Sequence, residues 1–269
     1  MPELPEVQTV VDDLNRMIKG CTIRDILVIT RTIWRGGIPR KASLAGAAVK
    51  GLERKGKHIF MHLSNNHSII FHLKMTGKLI VREQNDPIAR HTHLIIKLDR
   101  GELRFNDVRR FGFVHYVKTK QIAMLDYIAA LGPDALEIPM DDLVKRIRSK
   151  KRKIKSVLLD QRFISGLGNI YSDEILFASR INPSRIASKI SVGKLKNLHG
   201  NMTLILKAAA QSRGSSISDY VDGSGNVGGF QNYHKVYGKA GRPCPDCGSR
   251  IMKLVISGRS SHYCPRCQR

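Results

Sequence analysis

Four of the five cysteines form two Cys-x-x-Cys pairs near the end of the chain, Cys244 with Cys247 and Cys264 with Cys267, separated by sixteen residues. Each pair can present two thiolates on one side of a tight turn, and two pairs complete the tetrahedral sulfur shell that suits Zn²⁺. Because four sulfurs leave no position for a substrate, we predict one structural zinc ion. Two redox pairs or unliganded thiols are the alternatives.

The residues between the two pairs predict a β-hairpin. Strand-like segments at 251–256 and 261–263 flank Gly258 and Arg259, which places Arg259 near the tip. A module this small has little core of its own, so metal binding would supply its folding energy.

The N-terminal sequence Met1-Pro2-Glu3-Leu4-Pro5-Glu6 offers a second kind of chemistry. Removal of Met1 would leave Pro2 with a free secondary amine, and α-amino groups titrate near ~7.7–8.0, so part of the population is nucleophilic at neutral pH. Such an amine can condense with a sugar carbon to give an iminium ion, and Glu3 and Glu6 are candidate acid and base. The alternative is an ordinary frayed terminus.

Charge indicates the partner. The chain has 46 Lys and Arg against 22 Asp and Glu, a formal net charge of +24. This excess favours a polyanion such as nucleic acid, although a solvated basic surface is the alternative. No apolar run approaches the ~20 residues of a membrane span, and early acidic residues exclude a secretory signal, so we expect a cytoplasmic protein.

The elements that must position these residues fall into two halves. Apolar residues at helical spacing predict a helix after Pro5 that ends near Gly20. From about Thr22 to Val117 the period changes to two, which favours an antiparallel sandwich or barrel. The predicted strands are Thr22–Ile29, His58–Leu63, Ser68–Leu73, Lys78–Val81, His93–Leu98, Glu102–Phe105 and Gly112–Val117.

Residues 132–139 break the pattern with Gly132-Pro133 and predict a linker, after which the sequence becomes helical. A glycine-rich stretch around Gly223–Gly229 is predicted to be irregular. The predicted helices are Asp141–Ser149, Ile154–Gln161, Ile170–Ser179 and Ser191–Gln211.

Several motifs together resemble the formamidopyrimidine-DNA glycosylases across nearly the whole chain. They are Pro2-Glu3-Leu4-Pro5-Glu6-Val7, Lys57 before a strand, His72-Leu73-Lys74-Met75-Thr76-Gly77, Asp107-Val108-Arg109-Arg110-Phe111-Gly112, Gly166-Leu167-Gly168-Asn169-Ile170-Tyr171, and Arg259 with the four cysteines. Each motif alone is weak, but the set in this order is specific. One departure is Gln8, where many members carry glutamate, and we expect little consequence.

The resemblance implies a base-excision-repair enzyme that removes oxidised purines (8-oxoguanine and formamidopyrimidines) and then cleaves the backbone by β,δ-elimination. By this resemblance Pro2 forms a Schiff base with the sugar and Glu3 protonates the sugar as its ring opens. Lys57 donates a proton in β-elimination, and Arg259 assists δ-elimination. Without the resemblance, Lys57 and Arg259 would be taken for surface charges.

The resemblance also implies how damaged double-stranded DNA is held. A base must leave the duplex to be reached, and Met75, Arg109 and Phe111 match the residues that fill the space it leaves. Without that context, Met75 and Phe111 would be core residues of strands. Glu6 is assigned to the damaged-base pocket, and the stretch around Gly223–Gly229 to a loop that closes over the base. The DNA-binding residues implied are His72, His91, Arg109, Lys150, Lys151, Lys155 and Asn169. The alternatives for the last four are a solvated helix face and an ordinary glycine-rich turn.

The predicted fold is therefore α+β: an N-terminal helix with an antiparallel β-sandwich, then a helical domain with a helix-two-turns-helix and a zinc-ribbon β-hairpin. The predicted domains are a catalytic domain at 1–131, a linker at 132–139, a helical DNA-binding domain at 140–234 and a zinc module at 235–269. We expect a monomer that associates with the nucleoid through DNA.

Two rival functions remain. An endonuclease VIII-like enzyme shares the fold and nucleophile but acts on oxidised pyrimidines; that branch typically opens Pro-Glu-Gly-Pro-Glu, and Leu4 argues against it. A zinc-ribbon DNA-binding protein without catalysis would explain the charge and cysteines but not the N-terminal cluster.

Overall fold

The computed structural model describes all residues, Met1–Arg269. The chain divides into two compact units. The first contains residues 1–129 and 210–231, and the second contains residues 130–209 and 232–269.

The first unit begins with helix α1, Leu4–Ile18. Pro5 is tolerated in its first turn, where a backbone N–H has no helical partner. Valines and leucines at helical spacing bury one face of α1, and Gly20 follows its end with a φ of 84°, a left-handed conformation that glycine adopts without strain. The predicted N-terminal helix is confirmed.

Two sheets follow α1 in this unit, one of order β1-β7-β8-β6 and one of order β2-β9-β5-β4-β3. All neighbours are antiparallel except β2 and β9. The strands are β1 Ile23–Val28, β2 Trp34–Arg35, β3 Val49–Lys55, β4 His58–Leu63, β5 His67–His72, β6 Gly77–Arg82, β7 Thr92–Leu98, β8 Glu102–Asp107 and β9 Phe113–Lys118. Two short helices complete the unit, α2 Lys41–Leu44 and α3 Asp126–Ala129, with short 3-10 turns at Arg31–Ile33, Thr119–Met124 and Phe230–Tyr233, the last of which runs into the second unit.

One core joins α1 to both sheets. It includes Val10 and Leu14 from α1, Ile59 from β4 and Ile96 from β7, all fully buried. The rings of Phe71 on β5 and Phe105 on β8 lie 6.3 Å apart and connect the two sheets directly. The predicted antiparallel sandwich is confirmed, and α1 is held rigidly because its whole apolar face is buried there.

The second unit is mainly helical. Its helices are α4 Met140–Arg148, α5 Ile154–Leu159, α6 Asn169–Ala178 and α7 Val192–Gln211, with a 3-10 turn at Ala187–Lys189. The last two residues of α7, Ala210 and Gln211, are grouped with the first unit by their contacts. All four helices agree with the predicted ones to within three residues at each end.

The second unit ends in an antiparallel hairpin of β10, Met252–Ile256, and β11, Arg259–Tyr263. Ser257 and Gly258 form its turn with φ values of 50° and 70°. Phe177 of α6 packs with Val236, Ile251 and two of the cysteines in a small core. The predicted zinc-module hairpin is confirmed, and its core is shared with α6.

The contact-based division puts the zinc module and the helical part in one unit, whereas the predicted domains separate them, and it differs in two further places. Residues 210–231 pack with the first unit, whereas the sequence division assigned them to the helical domain. Residues 132–139 belong to the second unit, where Ala135 donates its backbone N–H to the Ser165 carbonyl. None of the helices is long and apolar enough to cross a membrane.

Candidate functional site

Pro2, Glu3 and Glu6 lie together at the start of α1. Glu3 is the residue before the helix, and Glu3 and Glu6 form a reciprocal capping box. The Glu3 backbone N–H donates to Glu6 Oε2 at 2.8 Å, and both carboxylates are buried. The capping box fixes the backbone beside Pro2, so the predicted nucleophile and its candidate acid are held on a rigid element.

Lys57 lies in the tight turn between β3 and β4 and is almost fully buried. The turn is tied to α1, because Arg54 Nε donates to Gln8 Oε1 at 2.8 Å while Arg54 Nη1 donates to the Gly56 carbonyl at 3.0 Å. Gln8 therefore keeps the acceptor oxygen that a glutamate would offer. Although Gln8 lacks the negative charge of a glutamate, the hydrogen bond that links α1 to the Lys57 turn is still made.

His72 ends β5 in a nearly buried cluster of rings. Its Nδ1 accepts the Lys74 backbone N–H at 3.0 Å, so in the neutral ring the proton lies on Nε2. Burial, and then the neighbouring His58 and Lys74, hold the pKa of His72 well below its usual value. His72 is thus a neutral donor through Nε2 at physiological pH.

His58 follows Lys57 and packs edge-on against His72, with ring centroids 4.5 Å apart. Burial lowers the pKa of His58 to about 4, helped by Lys74. Because the pKa of each ring is lowered, both rings are neutral at physiological pH, and the cluster adds no positive charge beside Lys57.

Met75, Arg109 and Phe111 come together at one edge of the sandwich. Met75 follows β5, and the other two lie between β8 and β9. Arg109 Nη1 donates to Met75 Sδ at 3.2 Å, and its guanidinium carbon lies 4.6 Å from the centre of the Phe111 ring. Met75 is 36 % exposed and Phe111 is 53 % exposed, so neither is a core residue. An exposed apolar cluster with one cation suits insertion into a base stack.

Asp107 organises the loop that carries Arg109 and Phe111, a role that the sequence did not reveal. Its fully buried carboxylate accepts the Thr76 hydroxyl, and it accepts the backbone N–H groups of Arg109 at 3.2 Å and Gly112 at 2.7 Å. A Cβ at Gly112 would lie 2.7 Å from Phe105, so this position requires glycine. The Asp-x₄-Gly spacing is visible in the sequence, but it indicates this loop contact only once the fold is known.

His91 lies beside the same loop. Its carbonyl accepts the Asp107 backbone N–H at 3.0 Å, and its side chain is half-buried. The predicted phosphate contact of His91 therefore lies near the void-filling residues in the first unit.

The four cysteines meet at one point. Their sulfur atoms lie within 4.8 Å of one another, and two of the pairs are 3.5 and 3.9 Å apart. A tetrahedral zinc with Zn–S bonds of ~2.3 Å needs sulfurs about 3.8 Å apart, so the cluster fits one ion. Arg259 begins β11 beside the hairpin turn and is exposed, as expected.

Asn169 begins α6 after a turn built from glycines. Gly166 has a φ of 101°, and Gln161 holds the turn by accepting the Gly166 N–H at 3.0 Å and donating to the Leu167 carbonyl at 2.7 Å. Asn169 Oδ1 has no hydrogen-bond partner. Backbone N–H groups at such a helix start favour an anion.

The basic run before α5 divides into exposed and buried members. Lys151 is exposed and Lys150 half-buried, with the Lys150 ammonium 5.8 Å from the centre of the Phe163 ring. Lys155 is 0 % exposed and pairs with the equally buried Asp173, while its Nζ also donates to the Ser260 carbonyl at 3.2 Å. The expectation that Lys155 contacts a phosphate is therefore corrected, because its ammonium is enclosed and neutralised within the protein.

Lys155 instead supports the zinc hairpin. Asp173 also accepts the backbone N–H and the ring Nδ1–H of His262, at 2.9 and 3.1 Å. We expect Lys155→Met to lower the stability of the zinc-loaded protein by about 3–5 kcal/mol, because Asp173 would stay buried without its cation. Thermal unfolding measures this, with the exposed Lys153→Met as matched control. Equal unfolding midpoints for the two variants would contradict it.

Three family models match this chain. They are described as the formamidopyrimidine-DNA glycosylase N-terminal domain (residues 1–114), the formamidopyrimidine-DNA glycosylase H2TH domain (131–221) and a zinc finger found in FPG and IleRS (241–269). Their order agrees with the sandwich, the helical part and the cysteine hairpin.

Curated relatives carry the same name. The chain is 39 % identical over 277 residues to the formamidopyrimidine-DNA glycosylase of Desulforamulus reducens and 39 % identical over 274 residues to that of Bacillus cereus ATCC 14579, covering all of this chain and 99 % of each relative.

Solved structures of Lactococcus lactis FPG agree. A mutant in complex with DNA containing Fapy-dG has a TM-score of 0.94 at 34 % identity, with both chains fully covered. The complex with abasic-site DNA scores 0.93 at 33 % identity, covering 99 % of each chain, and a wild-type complex with DNA containing an oxidised pyrimidine scores 0.92 at 33 % identity over both full chains.

Proposed function

The chain belongs to the formamidopyrimidine-DNA glycosylase family, and we propose on this basis that it excises oxidised purines, 8-oxoguanine and formamidopyrimidines, from duplex DNA and then cleaves the backbone as a lyase. The observation that carries the proposal is the start of α1, where Pro2 adjoins two buried carboxylates locked by their capping box. A nucleophile needs such a rigid setting to meet a sugar carbon.

The first step is attack by the Pro2 nitrogen on the anomeric carbon of the damaged nucleotide. The glycosidic bond breaks, its electron pair leaves with the base, and the sugar ring opens as its oxygen takes a proton from Glu3. The nitrogen loses its own proton and becomes a Schiff base. The positively charged iminium then withdraws electrons from the neighbouring sugar carbons.

The second stage removes the sugar from the backbone. Loss of a proton next to the iminium expels the 3′ phosphate by β-elimination, and Lys57 in its buried turn serves as proton donor. A further δ-elimination, assisted by Arg259, expels the 5′ phosphate. The product is a one-nucleotide gap bounded by phosphates.

Met75, Arg109 and Phe111 hold the DNA open while this happens. Moving a base out of the stack costs a few kcal/mol, which an inserted thioether and ring offset by replacing stacking. The Arg109 guanidinium has free donors for the base left without a partner. His72, His91, Lys150, Lys151 and Asn169 contact phosphates, and Glu6 borders the base pocket.

The zinc ion is structural and holds the hairpin that presents Arg259. The enzyme acts as a monomer. Because its substrate is genomic DNA, we also assign it to the cytoplasm, at the nucleoid.

The test compares three duplexes: one with an oxidised purine, one with an oxidised pyrimidine, and one undamaged. We expect excision of the purine lesion to be faster by about tenfold or more, which is well within the discrimination that differences in pocket contacts achieve. Borohydride should trap a covalent protein–DNA adduct on the purine duplex.

Two results would contradict the proposed activity and favour another function. Faster excision of the pyrimidine would favour the endonuclease VIII-like activity, a comparison made pertinent by the Lactococcus lactis complex with oxidised-pyrimidine DNA. Binding without any adduct would favour a non-catalytic zinc-ribbon protein.

A further inference from the structure

Residues 212–229 form a loop without helix or strand that packs on α1 within the first unit. We refer to it as the 212–229 loop. Its Ser215 backbone N–H donates to Glu6 Oε1 at 2.8 Å, and its Tyr220 hydroxyl donates to the Glu6 carbonyl at 3.3 Å. The loop therefore reaches the helix start that carries Pro2.

Three charged side chains fasten this loop to α1. Arg213 Nη2 lies 2.5 Å from Asp13 Oδ2 and 2.6 Å from Asp222 Oδ2, and Arg213 Nε donates to the same Asp222 oxygen at 2.9 Å. Both carboxylates are buried, whereas the Arg213 side chain is 40 % exposed. We call Arg213, Asp13 and Asp222 the carboxylate clamp.

Backbone groups of the loop complete the clamp. The Gly223 N–H donates to Asp13 Oδ2 at 3.1 Å, while the N–H groups of Ser224 and Asn226 each donate to Asp222 Oδ1 at 2.9 Å. A Cβ at Gly223 would lie 2.8 Å from the Asp13 Cβ, so the loop approaches α1 as closely as glycine allows. Asp13 thus holds the loop both through Arg213 and directly.

Arg213 occupies a strained conformation to make these contacts. Its φ is 62°, in the left-handed region that residues other than glycine seldom adopt. The next residue, Gly214, has a φ of 76°, and a Cβ there would lie 2.8 Å from Glu6 Cγ. Backbone strain persists only where surrounding contacts hold it, and it concentrates at functional sites.

We propose that the carboxylate clamp is a positioning device that sets the 212–229 loop against Glu6 and thereby holds a damaged base for excision. The inference rests on the proposed function. The loop also exposes two apolar side chains, Ile217 and Val227, which can pack on a planar base. A substrate that has already lost its base needs Pro2 and the sugar carbon but not this packing.

Loss of Arg213 would leave two buried carboxylates facing each other. Asp13 Oδ2 and Asp222 Oδ2, which both accept from Arg213 Nη2, would then repel each other. The turn at Gly223 would move away from α1 as a result. The capping box of Glu3 and Glu6 would remain. The clamp should therefore act on base excision and not on cleavage at a preformed abasic site.

The experiment measures single-turnover excision from an oxidised-purine duplex and cleavage of an abasic-site duplex by the zinc-loaded protein. Arg213→Gln should slow excision about tenfold or more, whereas abasic-site cleavage should change by less than about twofold. Arg16→Gln is the matched control, because Arg16 pairs with Asp13 Oδ1 on the exposed side and does not touch the loop contacts. Both of its activities should stay within about twofold of wild type.

Amide hydrogen exchange supplies a second readout. Arg213→Gln should speed exchange at Gly223 and Ser215, and Arg16→Gln should not. If Arg213→Gln does not fold, Asp222→Asn takes its place with the same expected results, since it keeps the Oδ1 acceptor for the backbone of the loop and removes the Oδ2 acceptor and the charge that bind Arg213.

Two outcomes overturn the inference: an equal fall of both activities, which shows a merely structural role, or unchanged excision. Absence of both activities in the wild-type protein would instead refute the proposed function, and the inference with it.

Discussion

Protein whose N-terminal imino group is blocked, by acetylation or by residues left before Pro2, should form no borohydride adduct and should excise the damaged base at least about a thousandfold more slowly. The Pro2 nitrogen can attack a carbon only as a free amine. In the chain that still carries Met1 this nitrogen belongs to a peptide bond, whose resonance removes the lone pair.

A removable N-terminal tag gives the sharpest form of this test. Protein with a tag ending in a protease site is assayed before and after cleavage that leaves Pro2 first, so that both samples share every other residue. Cleavage should restore the adduct and excision together.

Binding to an abasic-analogue duplex is the control for occlusion by the tag, and it should differ by only a few-fold between the samples. Full activity in protein shown by mass spectrometry to be blocked would refute Pro2 as the nucleophile.

The fold was largely predictable where side-chain periodicity is strong. The seven strands proposed from alternation lie within the two sheets, and α1 follows its apolar spacing. Strand β3 was missed, since its buried residues Val49 and Leu52 are three apart. The register shifts near Gly51, so the alternation of two that marks a strand is broken there.

The sequence motifs identified residues of the candidate site, but they did not predict the contacts among those residues. The contact among Met75, Arg109 and Phe111 joins residues 34 positions apart, and nothing in their local sequence distinguishes them from core residues. Lys155 shows the opposite failure. It lies in a basic run that predicts solvent exposure, but its ammonium is buried and forms an ion pair with Asp173, 18 residues away.

The carboxylate clamp was invisible for the same reason. Asp13 and Arg213 are 200 residues apart, and each looks like an ordinary surface charge in sequence. Only long-range packing brings the 212–229 loop to α1, which is also why sequence alone divided the chain differently at residues 210–231.

Loss of one zinc ligand should have the second largest effect. Cys264 is fully buried in the small core shared by α6 and the hairpin. In Cys264→Ser we expect metal content well below one ion per chain and an unfolded hairpin, because zinc binding contributes ~10–16 kcal/mol in comparable modules. Metal analysis of the purified protein measures the first effect directly.

Loss of the hairpin in Cys264→Ser should reduce δ-elimination while β-elimination continues. Arg259 is presented by β11, so without the hairpin the product should shift from a gap bounded by phosphates toward β-elimination alone, with weaker DNA binding. The Schiff base should still be trapped at high protein concentration, since Pro2 and Glu3 belong to the first unit, whereas the hairpin belongs to the second.

Cys21→Ala is the matched control, because Cys21 is a buried cysteine of the first unit that lies outside the metal cluster. It should keep one zinc per chain and both eliminations. A Cys264→Ser protein with a full complement of zinc, or with unchanged δ-elimination, would contradict the assignment. In the proposed mechanism, the zinc hairpin therefore positions the Arg259 guanidinium, which would act only after Pro2 has bonded to the sugar.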